Sequence, residues 1–190
     1  MLGCRVKAKG DGQIRIHYQI PINGFRNPNK ISTKASRRGT KVHKLCEDYL
    51  NNESAFQGYT PDNVDMFKTI QPTLNEIEVV YAQERTLFSH HLKTAGRVDC
   101  VGKFRGKTHI IDFKTSTKYK REEWIQDYFS QETAYAIMFQ ELTGLKVKQL
   151  VTIIATEQGT PQIFVKNNIL EFVPKLKEYI DYYKEIHGDW

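Results

Sequence analysis

Apolar residues recur every three or four positions in four stretches of the chain, which is the spacing of an amphipathic helix. The first stretch runs from Ser32 to Asn52, and the second opens at Pro61 and continues through Leu74. A third, from Glu122 to Leu142, is apolar over most of its surface and ends before Gly144. The fourth covers Ile169 to Ile186 and mixes apolar with charged positions. These patterns predict four helices, of which the third is buried.

Shorter segments rich in β-branched and aromatic residues predict strands before and after the third helix. They are Ile77–Gln83, Gly96–Val101, His109–Lys114 and Lys146–Thr156, with Gln162–Val165 as a candidate fifth. A turn over Lys103–Lys107 would join the second and third strands into a hairpin. The order of elements predicts one mixed α+β (α/β) domain over residues 32–190, with helices packed on a central mixed sheet.

Two stretches are less regular. Residues 1–31 hold several glycines and prolines around one alternating segment, Ile14–Tyr18, and predict an N-terminal extension or edge hairpin. Gly39 lies inside the first helical pattern, where a glycine costs roughly 0.5–1 kcal/mol relative to alanine. It marks a close approach of another backbone, a kink, or the true start of the helix.

Composition narrows the class of protein. With 190 residues, 39% hydrophobic and 26% charged, the chain has the size and balance of one folded domain. Its apolar runs are far shorter than the roughly 20 residues that cross a bilayer, and its first residues lack a signal-peptide core. We therefore expect a cytoplasmic protein with no membrane contact. Three widely spaced cysteines, Cys4, Cys46 and Cys100, argue against a disulfide framework, structural zinc or an iron–sulfur cluster.

The charge of the chain favours a polyanionic partner. Lys and Arg number 28 against 22 Asp and Glu, a net charge of +6. Between Gly102 and Arg121 the basic residues cluster around a single acid, Asp112. The candidates for following a phosphate backbone are Lys103, Arg105, Lys107, Lys118, Lys120 and Arg121. Tyr119 and Trp124, in the same region, could stack on unpaired bases.

A pair of side chains at the end of the third strand carries the candidate chemistry. Asp112 and Lys114 are two apart on a strand, so both emerge on the same face. A hairpin turn around Arg105 would bring Asp99 of the preceding strand beside Asp112. Two carboxylates suit Mg²⁺, which keeps waters and phosphate oxygens as its other ligands. The pattern predicts a magnesium site that acts on a phosphate.

Further ligands are available upstream. His43 and Glu47 are four apart on one face of the first helix, so His43 could reach the metal from the side. Glu84 follows the first strand as another oxygen ligand, with Glu78 on the same strand face as its rival. Glu47 is alternatively a surface acid that pairs with Lys44.

Gln131 and Tyr135 are four apart on the third helix and face the same way. Both can donate and accept hydrogen bonds. A role in the site and a role as core polar residues bonded to the backbone are both open for this pair.

Taken together, these residues resemble the PD-(D/E)XK nucleases, in the RecB-like branch. The matching positions are Gly39, His43, Glu47, Glu84, Gly96–Asp99, Asp112–Ser116, Gln131 and Tyr135. Within that branch the chain is similar to bacteriophage exonucleases and to the mitochondrial genome maintenance exonuclease family. Val98 stands where the family's name has proline. The four cysteines of the iron–sulfur members are missing, and no ATP-binding motif of a helicase is present.

The resemblance implies a restriction-endonuclease-like core around one or two Mg²⁺ or Mn²⁺ ions. The positions that it places around the metal are His43, Glu84, Asp99, Asp112 and Phe113. The positions that it assigns to catalysis or its support are Asp99, Asp112, Lys114, Gln131 and Tyr135. The ions would lower the pKa of a bound water and stabilise the leaving oxygen. Lys114 would orient the water, deprotonate it or balance charge, and all three roles stay open.

The expected function is a metal-dependent DNA exonuclease that acts on single strands or ends in phage DNA processing or recombination. The host cytoplasm and a single-strand-binding or recombination partner would fit that role. Three rivals remain. Salt-sensitive binding without turnover would indicate a recombination accessory protein, and cleavage of closed circles would indicate a structure-specific endonuclease. A toroidal exonuclease needs an oligomer, so a monomer in solution would exclude it.

Overall fold

The structure, a computed structural model, describes residues 3–8, 14–19, 28–53 and 56–187. Its strands are β1 (Gly3–Ala8), β2 (Ile14–Gln19), β3 (Ile77–Ser89), β4 (Thr94–Phe104), β5 (Lys107–Ser116), β6 (Gln149–Thr156) and β7 (Gln162–Lys166). Its helices are α1 (Pro28–Leu50), α2 (Pro61–Leu74), α3 (Gln126–Thr143) and α4 (Val173–His187), with 3₁₀ turns at Glu122–Trp124 and Ile169–Glu171. None of the helices in these ranges combines the length and the apolarity needed to cross a membrane.

Five strands form one sheet in the order β3-β4-β5-β6-β7. β5 and β6 run parallel, and the other neighbours run antiparallel. The prediction of a central mixed sheet flanked by helices is therefore confirmed. The N-terminal extension predicted over residues 1–31 lies partly outside the described residues. Within it, β1 and β2 pair antiparallel as a separate hairpin.

Helices cover both faces of the sheet. On one face, Val42 of α1 and Phe67 of α2 pack in a cluster with Ile111 of β5. On the other face, Phe129 of α3 packs in a cluster with Ile110 of β5. Successive residues of β5 thus enter opposite cores, which explains the continuous apolar run of this strand. Each buried side chain of this size contributes about 1.5–3 kcal/mol to folding.

The ends of the helices differ from the predicted ones for local reasons. α1 begins at Pro28 instead of Ser32, because proline is well suited to the first helical position. α3 begins four residues after Glu122, because Glu122–Trp124 form a 3₁₀ turn first. Gly144 ends α3 as predicted, with a φ of 76° and its amide bonded to the Gln140 carbonyl at 2.8 Å.

Gly102 is tightly surrounded and Gly39 is not, so alanine substitutions at the two positions should have opposite effects on stability. A Cβ at Gly102 would lie 2.8 Å from the Val79 carbonyl oxygen and 3.1 Å from Ile77 Cγ2, so Gly102→Ala should destabilise the protein by about 1–3 kcal/mol. At Gly39, within continuous helix, a Cβ would lie 3.7 Å from Thr115 Oγ1. Gly39→Ala should therefore stabilise by roughly 0.5–1 kcal/mol. Urea unfolding measures both, and shifts of the same sign would contradict this account.

Candidate functional site

β4 and β5 separate at the position where the candidate acids lie. Their register runs from the turn back to Cys100 opposite Ile111, and pairing ends there. One residue further, Asp99 Oδ2 accepts a hydrogen bond from the Phe113 backbone amide at 2.9 Å. The side chain of Asp99 thus occupies the opening between the strands, and this contact fixes its orientation. The Phe113 side chain is buried and carries no ligand atom, so its fixed contribution here is the amide.

Three elements bring metal-ligating side chains together at this opening. His43 of α1, Glu84 of β3 and Asp99 of β4 each offer one ligand atom, and these atoms lie within 4.8 Å of one another. His43 Nδ1 lies 3.3 Å from Asp99 Oδ2. All three side chains are half-buried, so they remain accessible to an ion. An imidazole with two carboxylates is a donor set that fits a divalent cation.

Glu84 has an unusual backbone conformation. Its φ of 50° is in the left-handed region, which costs a residue other than glycine of the order of 1–3 kcal/mol. Arg97 holds both ends of the residue, with its Nε 2.5 Å from Glu84 Oε2 and 3.0 Å from the Glu84 carbonyl oxygen. Burial and the negative charge of Asp99 raise the pKa of Glu84. A strained residue with a perturbed pKa next to a second carboxylate is typical of a functional site.

Asp112 and Lys114 form an ion pair beside this group. Asp112 is buried, and Lys114 Nζ lies 2.5 Å from its Oδ2. Burial raises the pKa of Asp112 to about 6, although the charge of Lys114 opposes the shift. Burial lowers the pKa of Lys114, but the charges of Asp112 and Asp99 outweigh it, and the net change is upward. Lys114 therefore remains an ammonium group. Among the described residues, the three-residue group of possible metal ligands does not include Asp112.

The third helix contributes Gln131 and Tyr135 to the same region. The Gln131 amide donates to the Tyr135 hydroxyl at 3.1 Å, so each orients the other. Burial raises the pKa of Tyr135, and the charge of Asp112 acts in the same direction. Tyr135 also packs against the strand bearing Asp99, since a Cβ at Gly96 would lie 2.7 Å from its ring.

Glu132, which lies between Gln131 and Tyr135 in the sequence, was not among the predicted site residues. It is fully buried, and its carboxylate accepts a hydrogen bond from Thr152 of β6. Thr152 is directly opposite Asp112 in the parallel register of β5 and β6. Burial, followed by the charge of Asp112, raises the pKa of Glu132 well above its usual range. The signal for it in the sequence was an acid inside an apolar helical pattern.

Replacing Glu132 by Gln should stabilise the protein at alkaline pH. Because the folded-state pKa is raised, the stability contributed by Glu132 is present at low pH and is lost as pH rises above the unfolded value. Glutamine can still accept from Thr152 and carries no charge. The melting temperature should rise by a few degrees at pH 8 and by less at pH 5. Glu123→Gln, at an exposed position, is the control, and an equal gain from both would refute a specific effect of burial.

The basic residues predicted to bind DNA divide between the two ends of β5. At the hairpin, Lys103 Nζ lies 2.8 Å from a Glu78 carboxylate oxygen, and Arg105 pairs with Glu76 at 2.5 Å. Lys107 begins β5 at this end. Glu78 also accepts from the backbone amide of the hairpin turn, which places it away from Glu84. Two of the three hairpin cations are thus neutralised, one by Glu78 of β3 and one by Glu76, which directly precedes β3.

The other predicted DNA-binding residues follow the opposite end of β5. Lys118, Lys120 and Arg121 lie between this end and the 3₁₀ turn. The Arg121 guanidinium lies 5.3 Å from the centre of the Trp124 ring, and Trp124 is 62% exposed. Tyr119 is also exposed. This segment therefore presents cations and aromatic faces next to the strand end that carries Lys114.

Glu47, a candidate for the site, has a partner on its own helix. Glu47 and Asp48 both contact Lys44, at 3.1 and 2.9 Å, so Glu47 takes part in a helix-surface ion pair.

Cys46 and Cys100 are buried, and burial raises the pKa of both thiols, that of Cys100 to about 12. Both therefore pack as small apolar residues with protonated thiols.

The five-stranded mixed sheet, covered by helices on both faces, defines an α+β domain with an exonuclease-like fold. The crystal structure of a candidate exonuclease from Eubacterium rectale matches it with a TM-score of 0.51 at 14% identity, over 78% of this chain and 64% of that chain. At this identity the likeness shows the fold. No family model matches the chain.

Sequence comparison points to named relatives. Mitochondrial genome maintenance exonuclease 1 of Mus musculus is 37% identical over 84 residues, which is 44% of this chain and 25% of the mouse protein. The Homo sapiens protein of that name is 24% identical over 154 residues, or 77% of this chain and 43% of the human protein. The chain thus spans less than half the length of these relatives. The similarities support a relationship to nucleases.

Proposed function

We propose that the chain is a metal-dependent nuclease that hydrolyses phosphodiester bonds of DNA, as an exonuclease on single strands or ends. The observation that carries the proposal is the convergence of His43, Glu84 and Asp99 from three elements, beside the ion pair of Asp112 and Lys114. The names of the relatives support it. We also assign the chain to the PD-(D/E)XK superfamily, in the RecB-like branch, on the motif order described above.

The residues fit a divalent metal, Mg²⁺ or Mn²⁺, with His43, Glu84 and Asp99 as its holders and Asp112 adjacent. A bound metal of this kind supplies neutralisation of the phosphate and a water of lowered pKa. The Lys114 ammonium group carries a permanent positive charge, and it can donate hydrogen bonds to a phosphate oxygen or to the attacking water. Asp112 holds that ammonium in place.

Cleavage assays test the proposal directly. Single- and double-stranded DNA, labelled at the 5′ or 3′ end, should be degraded in Mg²⁺ or Mn²⁺ and remain intact in chelator. Closed circles should resist, because an exonuclease needs an end. Salt-sensitive binding without turnover would replace the proposal by an accessory protein, and cutting of closed circles would replace it by an endonuclease. A phage recombination role, a single-strand-binding partner and the cytoplasm remain predictions from the sequence.

A further inference from the structure

A groove separate from the acid cluster opens at the carboxyl edge of β5 and β6, between α1 and α2. Its volume is about 1240 Å³. Lys34, Arg37 and Lys41 of α1 form one wall, and Asp62 and Asp65 of α2 contribute to the other. The three cations are exposed. Below, these three residues are called the α1 wall.

Most of α1 carries positive charges and no negative ones. Residues 28–46 contain six Lys and Arg and no acid. Within the α1 wall, Lys34 and Arg37 are three apart and Arg37 and Lys41 are four apart, so the like charges are neighbours and repel one another. In the part of the chain that the structure describes, the wall residues form no ion pair, whereas the adjacent Arg38 pairs with Glu157. A helix that carries such repulsion is stabilised by a polyanion in the groove.

The groove lies at the same edge of the sheet as the proposed active site, since Thr156 of its lining pairs with Ser116 at the end of β5. The face of α1 that carries Gly39 packs against this end of β5, because a Cβ at Gly39 would lie 3.7 Å from Thr115 Oγ1. Thr115 follows Lys114 on β5. On the floor of the groove, the Glu157 amide donates to the Ser116 carbonyl at 3.0 Å. A strand held at Lys114 therefore has two basic surfaces at this edge, the segment of Lys118, Lys120 and Arg121 and, along the groove, the α1 wall.

The dimensions suit a phosphate backbone. Lys34 and Lys41 are seven residues apart, which is about 10 Å along a helix. This distance spans two or three phosphates of a strand whose charges are spaced by roughly 3.4 Å or more. At the opposite end of β5, Lys103 and Arg105 already have carboxylate partners. Cations that are free of such partners release more counterions on binding DNA.

We propose that the α1 wall binds the sugar–phosphate backbone of the DNA strand that extends from the active site, and that it carries more of this binding than the hairpin of Lys103, Arg105 and Lys107. The inference rests on the proposed nuclease function and adds the path of the substrate. Asp62 and Asp65 repel the strand and keep it against the α1 wall.

The test compares two triple variants that remove the same charge. Lys34→Gln/Arg37→Gln/Lys41→Gln removes the α1 wall, and Lys103→Gln/Arg105→Gln/Lys107→Gln removes the hairpin cations. Binding of a fluorescent single-stranded oligonucleotide is measured by anisotropy in chelator, across a salt series. Log affinity falls as log salt rises, and the α1 variant should make this negative slope shallower by roughly two, since each lost phosphate contact contributes about 0.7. The hairpin variant should make the slope shallower by less than one.

Three further measurements separate folding from binding. Removing like charges should leave the melting temperature of the α1 variant unchanged or raised. Asp62→Asn/Asp65→Asn, which leaves α1 intact, should tighten binding. In cleavage assays the α1 variant should raise KM much more than it lowers kcat.

The possible failures are distinguishable. Equal slopes for wild type and the α1 variant, or a larger loss from the hairpin variant, would overturn the inference while wild-type cleavage stands. Wild-type protein that binds DNA but never cleaves it would overturn the nuclease proposal instead.

Discussion

Lys114→Met is expected to lower the rate of metal-dependent DNA cleavage by roughly 10²–10³-fold or more, because a fixed positive charge at the phosphate acts mainly in the transition state. The loss should appear in kcat, since Met retains most of the side-chain volume. Single-turnover cleavage of end-labelled DNA at saturating protein measures it. Lys177→Met, at an exposed position of α4, is the control and should cleave at the wild-type rate.

The same substitution should destabilise the metal-free protein in a pH-dependent manner. Burial raises the pKa of Asp112 to about 6 even with Lys114 present, so its stability contribution decreases as pH rises from about 4 to 6. Without the ammonium, the ionised carboxylate is buried without its partner, at a cost of about 1–3 kcal/mol after allowing for partial exposure of Lys114. The melting temperature should therefore fall more at pH 8 than at pH 5.

A double variant separates structure from chemistry. Lys114→Met/Asp112→Asn removes both charges, so it should regain much of the melting temperature lost in Lys114→Met while cleavage stays absent. Restored cleavage in this double variant, or near-wild-type cleavage in Lys114→Met alone, would show that the ion pair is structural and that the active site lies elsewhere.

The fold could be predicted because its main signals are local. The strands β5 and β6 are buried on both faces, and their apolar runs show this directly in the sequence. Helix ends were less predictable, since the 3₁₀ turn before α3 depends on how Glu122–Trp124 join the preceding loop. The order of candidate acids on consecutive strands was enough to predict that Asp99 and Asp112 approach each other.

The details of the site depend on long-range packing that spacing does not encode. The left-handed backbone of Glu84 requires Arg97 and the neighbouring strand. The burial of Glu132 is decided by β6, which is distant in the sequence. Likewise, Lys103 resembles a free cation in sequence until β3 places Glu78 beside it. The basic run was therefore visible, but the partners that neutralise part of it were not.

Addition of Mg²⁺ or Mn²⁺ is expected to stabilise the protein through His43, Glu84 and Asp99. At a metal concentration about 100 times the Kd the gain is about 2.7 kcal/mol, which corresponds to a rise in melting temperature of roughly 5–10 °C for a domain of this size. Glu84→Gln should abolish most of this rise, because it removes a charged ligand. Thermal unfolding across a metal titration measures both.

Without metal, Glu84→Gln should have the opposite effect. Burial and the charge of Asp99 raise the pKa of Glu84, so the folded state disfavours its ionised form and loses stability as pH rises above the usual value. Without metal, the Glu84→Gln variant should therefore melt at a higher temperature than wild type at pH 8, and at a similar temperature at pH 4.

Glu78→Gln provides the matched control on the same strand. Its hydrogen bond with Lys103 lowers the pKa of Glu78, so this substitution should slightly reduce stability at pH 8, and the metal-induced rise should persist. A metal response that is equally large in Glu84→Gln and wild type would place the ion elsewhere. Glu84 is half-buried beside Asp99, whereas Glu78 is exposed and paired with Lys103. Opposite signs from the two substitutions would therefore show that the carboxylate pair at Glu84 lowers folding stability in exchange for ion binding.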